Sequence, residues 1–137
     1  MSADRCVFCQ IVAGELPSTM IAEEERAVAF MDINPATPGH LLVVPRDHAQ
    51  DVFSVAADDL AACASLAQRM ACLVRDRLGA DGVNLLQSSG AAAWQTVFHL
   101  HVHVIPRYAG DPLRLPWQPR PGDPEEIASV AAKLRSA

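Results

Sequence analysis

The sequence predicts a single domain in which one long helix packs against a β-sheet. Residues 58–78 carry an extended helical repeat of apolar side chains. Around that repeat lie short runs with the length and composition of strands. The 137 residues suffice for one hydrophobic core.

Half of the residues are hydrophobic and a fifth are charged, the balance of a globular chain. The formal net charge of −5 predicts no general attraction to nucleic acid or to an anionic membrane, and leaves room for a local nucleotide pocket. No apolar run approaches the length of a transmembrane helix. Met1 to Arg5 is polar, so no secretory leader is expected and a cytoplasmic setting is the default. Thiols stay reduced there, so the four cysteines are expected as metal ligands or core residues before disulfides.

Taken in order, Cys6-Val7-Phe8-Cys9-Gln10-Ile11-Val12 reads as a short helical turn, stopped by Gly14 and Pro17. Cys6 and Cys9 are three apart and face the same way on such a turn. They are either two small buried hydrophobes or half of a zinc site. Residues 19–23 and 26–33 are expected strands around an acidic turn, Glu23-Glu24-Glu25, read as a solvated loop. Asp32 closes the second strand. The two prolines and the glycine of Asn34-Pro35-Ala36-Thr37-Pro38-Gly39-His40 then require a fixed, non-helical turn. Asp32 either caps that turn or accepts hydrogen bonds from a sugar diol.

Residues 41–45 form an apolar run ending at Pro45, expected as a central strand flanked by His40 and His48. The helix at 58–78 shows apolar residues at Leu60, Ala64, Ala67, Met70, Ala71, Val74 and Leu78. Asp58 and Asp59 at its start, Arg75 and Arg77 at its end, and Gly79 beyond suit its dipole and its termination. Cys63 and Cys72 are read as core filler. Burying this stripe requires a sheet beneath it. Residues 83–87 are a further strand and 88–94 a loop. From Tyr108 onward five prolines give an extended segment, followed by a short helix over 125–135 with Asp123 as its N-cap and Pro124 at its first position.

The chemistry concentrates in Gln95-Thr96-Val97-Phe98-His99-Leu100-His101-Val102-His103-Val104-Ile105. On a strand, His99, His101 and His103 line one face and the apolar residues line the other. Three imidazoles on one face need partners. Cys6, Cys9, His48 and one of the three could complete a tetrahedral Cys₂His₂ zinc site. His101, in the middle, is best placed to attack phosphorus, with a neighbour binding phosphate oxygens. Gln95 and Thr96 supply groups suited to stabilising the leaving group and the phosphoryl oxygens. The competing arrangement makes all three histidines ligands of a catalytic metal.

These residues resemble the histidine-triad (HIT) family of nucleotide-binding proteins, in its zinc-bearing, bacterial-type branch. The triad His99-Leu100-His101-Val102-His103-Val104-Ile105 carries the likeness. So do the N-terminal Cys6/Cys9 segment, Ala29-Phe30-Met31-Asp32-Ile33-Asn34-Pro35, and the stretch from Pro38-Gly39-His40 to Arg46-Asp47-His48. The resemblance implies an α+β fold, with an antiparallel sheet of about five strands and one packed helix, in a homodimer. It implies a catalytic domain over residues 1–108, with 109–137 as a proline-rich extension of the same domain. It also implies cleavage of purine nucleotide conjugates through a nucleotidyl-histidine.

By position, His101 would attack the α-phosphorus, His103 would bind the phosphate, and Gln95 and Thr96 would assist the leaving group. Asp32 would bind the ribose, Ile33 would lie near the base and His40 near the phosphate. Structural zinc would sit on Cys6, Cys9, His48 and His99. Two positions depart from the family pattern. Trp94 stands where glycine is common, beside the leaving-group site. Ser88 stands where asparagine often helps to bind ribose and phosphate. Nucleoside phosphoramidates are the leading substrate class, dinucleoside polyphosphates an alternative, and a binding module with little turnover another. Trp117 either stacks on a base in a partner's site or anchors the tail to its own domain.

Overall fold

The structure, a computed structural model, describes residues 6–136. The reading of Met1 to Arg5 lies outside the described residues. In chain order the elements are α1 (Val7–Val12), β1 (Met20–Glu23), β2 (Ala27–Met31), β3 (Leu41–Pro45), α2 (Ala57–Leu78), β4 (Gly82–Gln87), β5 (Val102–Arg107) and α3 (Pro124–Arg135). The five strands form one antiparallel sheet in the order β1-β2-β3-β5-β4. The fold is α+β, as expected. Among the described residues no helix is long and apolar enough to cross a membrane.

Strand alternation sorts the core into two layers. Ala27, Ala29, Leu41, Val43, Val102 and Val104 face α2, where they meet Cys63, Leu66, Ala67, Met70 and Val74. Val28, Phe30, Leu42 and Val44 face the other way, beneath Cys6 and Phe8 of the N-terminal segment. Strands β2 and β3 are apolar throughout because both of their faces are covered. The two covers are unequal: α2 has 22 residues and α1 has six. The part of the sheet that α1 leaves open is where the site lies.

Several expectations need correction. The buried stripe of α2 runs through Asp59, Cys63, Leu66, Ala67, Met70 and Val74, while Ala64 and Leu78 are exposed. Alanines surround the helix and mark no face, and Asp59 turns inward to meet Arg26 Nη1 at 3.0 Å. Cys63 is core, and burial pushes its thiol up to about 12. Cys72 is exposed. Glu24 does more than solvate a loop: it pairs with Arg69 of α2, and its carbonyl accepts from Arg46 Nε at 2.6 Å. The tail is exposed from Arg114 to Val130, and Trp117, at 63% exposure, does not anchor it. Helix α3 runs Pro124–Arg135 as expected, with Pro124 at its first position and the Asp123 side chain accepting from Glu125 N.

The histidine segment is only partly a strand. Strand β5 begins at Val102, so His103 alone of the three lies within it. Upstream, Leu100 N donates to Ala49 O at 2.7 Å and the His101 ring bonds the His99 carbonyl, so this backbone pairs with a loop and with its own side chains. The alternation nevertheless survives, since Leu100, Val102 and Val104 all enter the α2 layer.

Candidate active site and metal centre

Helix α1 brings the two cysteines to one point. Cys6 caps it, with Sγ accepting from Cys9 N at 3.4 Å. His48, just beyond β3, and His99 meet them there. His99 Nδ1 lies 3.3 Å from Cys6 Sγ, 3.4 Å from Cys9 Sγ and 3.2 Å from His48 Nδ1. Cys9 Sγ is 3.4 Å from His48 Nδ1, and all four donor atoms lie within 4.8 Å of one another. Four soft donors around one point have the spacing of a tetrahedron with metal bonds of about 2.0–2.3 Å. His99 Nε2–H donates to Pro45 O at 2.9 Å, which leaves Nδ1 unprotonated and turned to the cluster. Burial holds His99 down to about 4, in its neutral ligand form. The residues fit a metal.

A second cluster, Asp32, His40 and His103, also brings its donor atoms within 4.8 Å of one another, but its hydrogen bonding is different. Ala36 N–H donates to His40 Nδ1 at 2.9 Å, which places the ring proton on Nε2. That proton is shared toward His103 Nδ1 at 2.9 Å and Asp32 Oδ2 at 3.4 Å. A protonated Nε2 is no metal ligand. His103 Nδ1, as the acceptor, leaves its own proton on Nε2. His101 Nδ1 bonds the His99 carbonyl at 2.8 Å, so its Nε2 carries a free lone pair. Hydrogen bonds thus leave the rings in different states, with Nε2–H on His40 and His103 and a bare Nε2 on His101.

Burial is the leading cause that lowers His40, His101 and His103, with His103 reaching about 4. The neighbouring His101 and His40 rings lower His103 further, and Asp32 opposes them. These imidazoles are neutral near pH 7, the form a nucleophile needs.

Beside them lies a cavity of about 400 Å³. His101, His103, Asp32, Ile33 and Thr96 line it, with Asn34 at its edge and Phe8 and Phe30 among its apolar walls. Asp32 divides its carboxylate: Oδ1 accepts from Asn34 N at 2.8 Å, holding the turn, while Oδ2 faces His40. The turn-capping reading of Asp32 is thus seen directly. Ile33 is exposed at the rim.

Other expected residues lie elsewhere. His40 is buried behind His103 and outside the cavity lining. Gln95 is buried and engaged, with Oε1 accepting from Gly90 N at 2.7 Å and Nε2 donating to the carbonyls of Gln50 and Val97 at 2.7 and 3.1 Å. It ties two loops together. Ser88 is buried at the end of β4, and the Trp94 indole is 58% exposed; neither lines the cavity. Phe8, Phe30 and Asn34 were missed as site residues. The position of Phe8 beside Cys9 was a signal that α1 borders the site.

A helix-on-sheet fold, a Cys₂His₂ cluster and three differently bonded histidines beside an apolar cavity define a histidine-triad protein. The HIT domain model matches residues 13–110, and the chain belongs to that family. It is 34% identical over 132 residues to adenosine 5'-monophosphoramidase of Schizosaccharomyces pombe, covering 96% of each chain. A HIT family protein from Bacillus anthracis superposes with TM-score 0.88 at 34% identity, over 97% of this chain and 96% of that one. A zinc-bound histidine triad family protein from Mycobacterium smegmatis gives 0.79 at 40% identity, over 97% of both.

Proposed function

We propose that the protein hydrolyses small nucleotide conjugates, nucleoside phosphoramidates first among them, by way of a nucleotidyl group carried on His101. One observation carries the reading: His101 donates Nδ1–H to the His99 carbonyl, which turns a free Nε2 lone pair into the cavity beside His103. In the first step Nε2 attacks the α-phosphorus, the P–N bond to the leaving amine breaks, and the amine departs with a proton taken from solvent. In the second, water attacks the phosphorus, the P–Nε2 bond breaks, nucleoside monophosphate leaves, and a proton of the attacking water returns to solvent. His103 Nε2–H donates to a phosphoryl oxygen in both steps. Asp32 Oδ2 is the ribose acceptor, and Ile33 flanks the base. Thr96 offers its hydroxyl to the leaving group, and Gln95 holds that loop in place.

Zinc on Cys6, Cys9, His48 and His99 supplies a structural cross-link. The relative in S. pombe named as a phosphoramidase supports the substrate class, and the zinc-bound M. smegmatis structure supports the metal. The edge strand β4, with Leu85 and Leu86 exposed on its two faces, supports a homodimer. The test compares His101→Ala with the parent for AMP release from adenosine 5'-phosphoramidate and from a diadenosine polyphosphate. Loss of at least about 10³-fold is expected, and undiminished turnover defeats covalent catalysis at this residue.

A second reading, a nucleotide-binding protein with little turnover, is favoured by the capture of the Gln95 amide by loop backbone. Tight AMP binding with no product from either substrate selects it. Arg107 is clasped to Asp111, with bonds of 2.8 and 2.7 Å, and lies outside the cavity lining.

A further inference from the structure

We propose that α1 is a wall of the nucleotide cavity held in place by the metal, so that metal and nucleotide raise one another's affinity. The proposal rests on the nucleotide reading of the cavity. Its basis is the double duty of one short segment. Cys6 and Cys9 deliver two of the four metal donors, while Val7, Phe8 and Ile11 line the cavity. Phe8 is the joint between the two. Its ring stands edge-on to His99 at 5.9 Å, to His101 at 5.2 Å and to Phe30 at 5.5 Å. One side chain therefore touches a metal ligand, the candidate nucleophile and the cavity wall.

A helix of six residues has no stability of its own. Its anchors are the cysteine cluster and the packing of Phe8, Ile11 and Val12 on the small core layer with Val28, Phe30, Leu42 and Val44. The larger core layer, between the sheet and α2, contains no α1 residue. Loss of the metal therefore opens α1 locally and leaves the α2 layer standing, an opening well below global unfolding. The open state has lost the cavity wall and the edge contact that seats His101. A ligand that needs the closed state resists the opening, and linkage makes the effect reciprocal.

The experiment titrates AMP by calorimetry into zinc-loaded protein and into chelator-stripped protein whose secondary structure is intact by circular dichroism. AMP affinity is expected to fall by roughly tenfold or more on stripping, and saturating AMP to raise zinc affinity by the same factor in chelator competition. Phe8→Ala, which retains all four metal donors, is expected to keep its zinc stoichiometry, bind AMP more weakly and show a linkage factor near one. Should that variant not fold, Ile11→Ser serves the same comparison. Equal AMP affinity with and without zinc overturns the proposal and leaves the nucleotide reading standing. A stripped protein that loses its whole fold overturns it as well. Loaded protein that binds no AMP removes the nucleotide reading, and this proposal with it.

Discussion

His40 Nε2 donates to His103 Nδ1 across 2.9 Å, and the direction of that bond is set by Ala36, whose N–H occupies His40 Nδ1. A backbone amide on a rigid turn thereby fixes the tautomer of a side chain in the cavity two bonds away. His103 must present Nε2–H outward.

The first prediction follows. His40→Ala removes the donor to His103 Nδ1 and lets the His103 proton sit on either nitrogen. The turnover number is expected to fall by about 10–100-fold, the usual cost of losing a partner that orients a site residue, with KM changing less. Nitrogen NMR of His103 should lose its single-tautomer signature, and His40→Gln, whose amide can donate, should restore part of both. A His40→Ala protein with the tautomer intact contradicts this positioning role.

Acid stability tests the same pair. His103 is held at about 4, below an ordinary value of 6.5, mainly by burial, and His40 is lowered for the same first reason. The unfolded chain binds these protons below about pH 6.5, and the fold refuses them until lower pH. Unfolding then takes up protons, so the histidine contribution is complete above the unfolded pKa and is lost as pH falls toward 4. Urea midpoints measured from pH 7 downward should decline across this window. His103→Asn should decline less steeply than the parent, and parallel curves count against the burial argument.

Much of this was legible in the sequence because period and spacing report faces. Alternation at 99–104 announced one polar and one apolar face, and the three-residue spacing of Cys6 and Cys9 announced a shared direction. Both survive in the structure, even though β5 starts only at Val102. What spacing does not report is which donor a ring nitrogen meets. The burial of His40 behind His103, and the engagement of Gln95 with Gly90 and Gln50, depend on loop backbones whose path is not periodic. The α2 stripe is only partly legible for a related reason. A helix rich in alanine carries little contrast, and the decisive inward residue, Asp59, is charged.

Gly39 supports the turn that carries His40. Its φ is +92°, and an added Cβ would overlap the Leu78 side chain and lie 3.2 Å from Pro106 Cγ. Gly39→Ala should therefore cost about 1–3 kcal/mol from the left-handed backbone alone. The checking measurement is the urea midpoint at unchanged slope. A midpoint equal to the parent's shows that the turn relaxes at no cost.

Trp94 is the converse case. At φ +76° it is the one non-glycine residue of positive φ among the described residues. The conformation belongs to the loop: Trp94 N donates to Ala91 O at 3.0 Å and Gln95 N to Gly90 O at 3.1 Å, closing a tight turn just before the site. A bulky residue at this φ is strained by 1–2 kcal/mol, about, and glycine returns part of that gain as unfolded-chain entropy. Trp94→Gly should stabilise by about 1 kcal/mol, seen as a higher urea midpoint. The indole is exposed and outside the cavity lining. Phosphoramidate kcat/KM should accordingly stay within about twofold of the parent, less than 0.5 kcal/mol in transition-state terms. A large fall in kcat/KM with the expected gain in stability would instead assign the indole a contact with substrate.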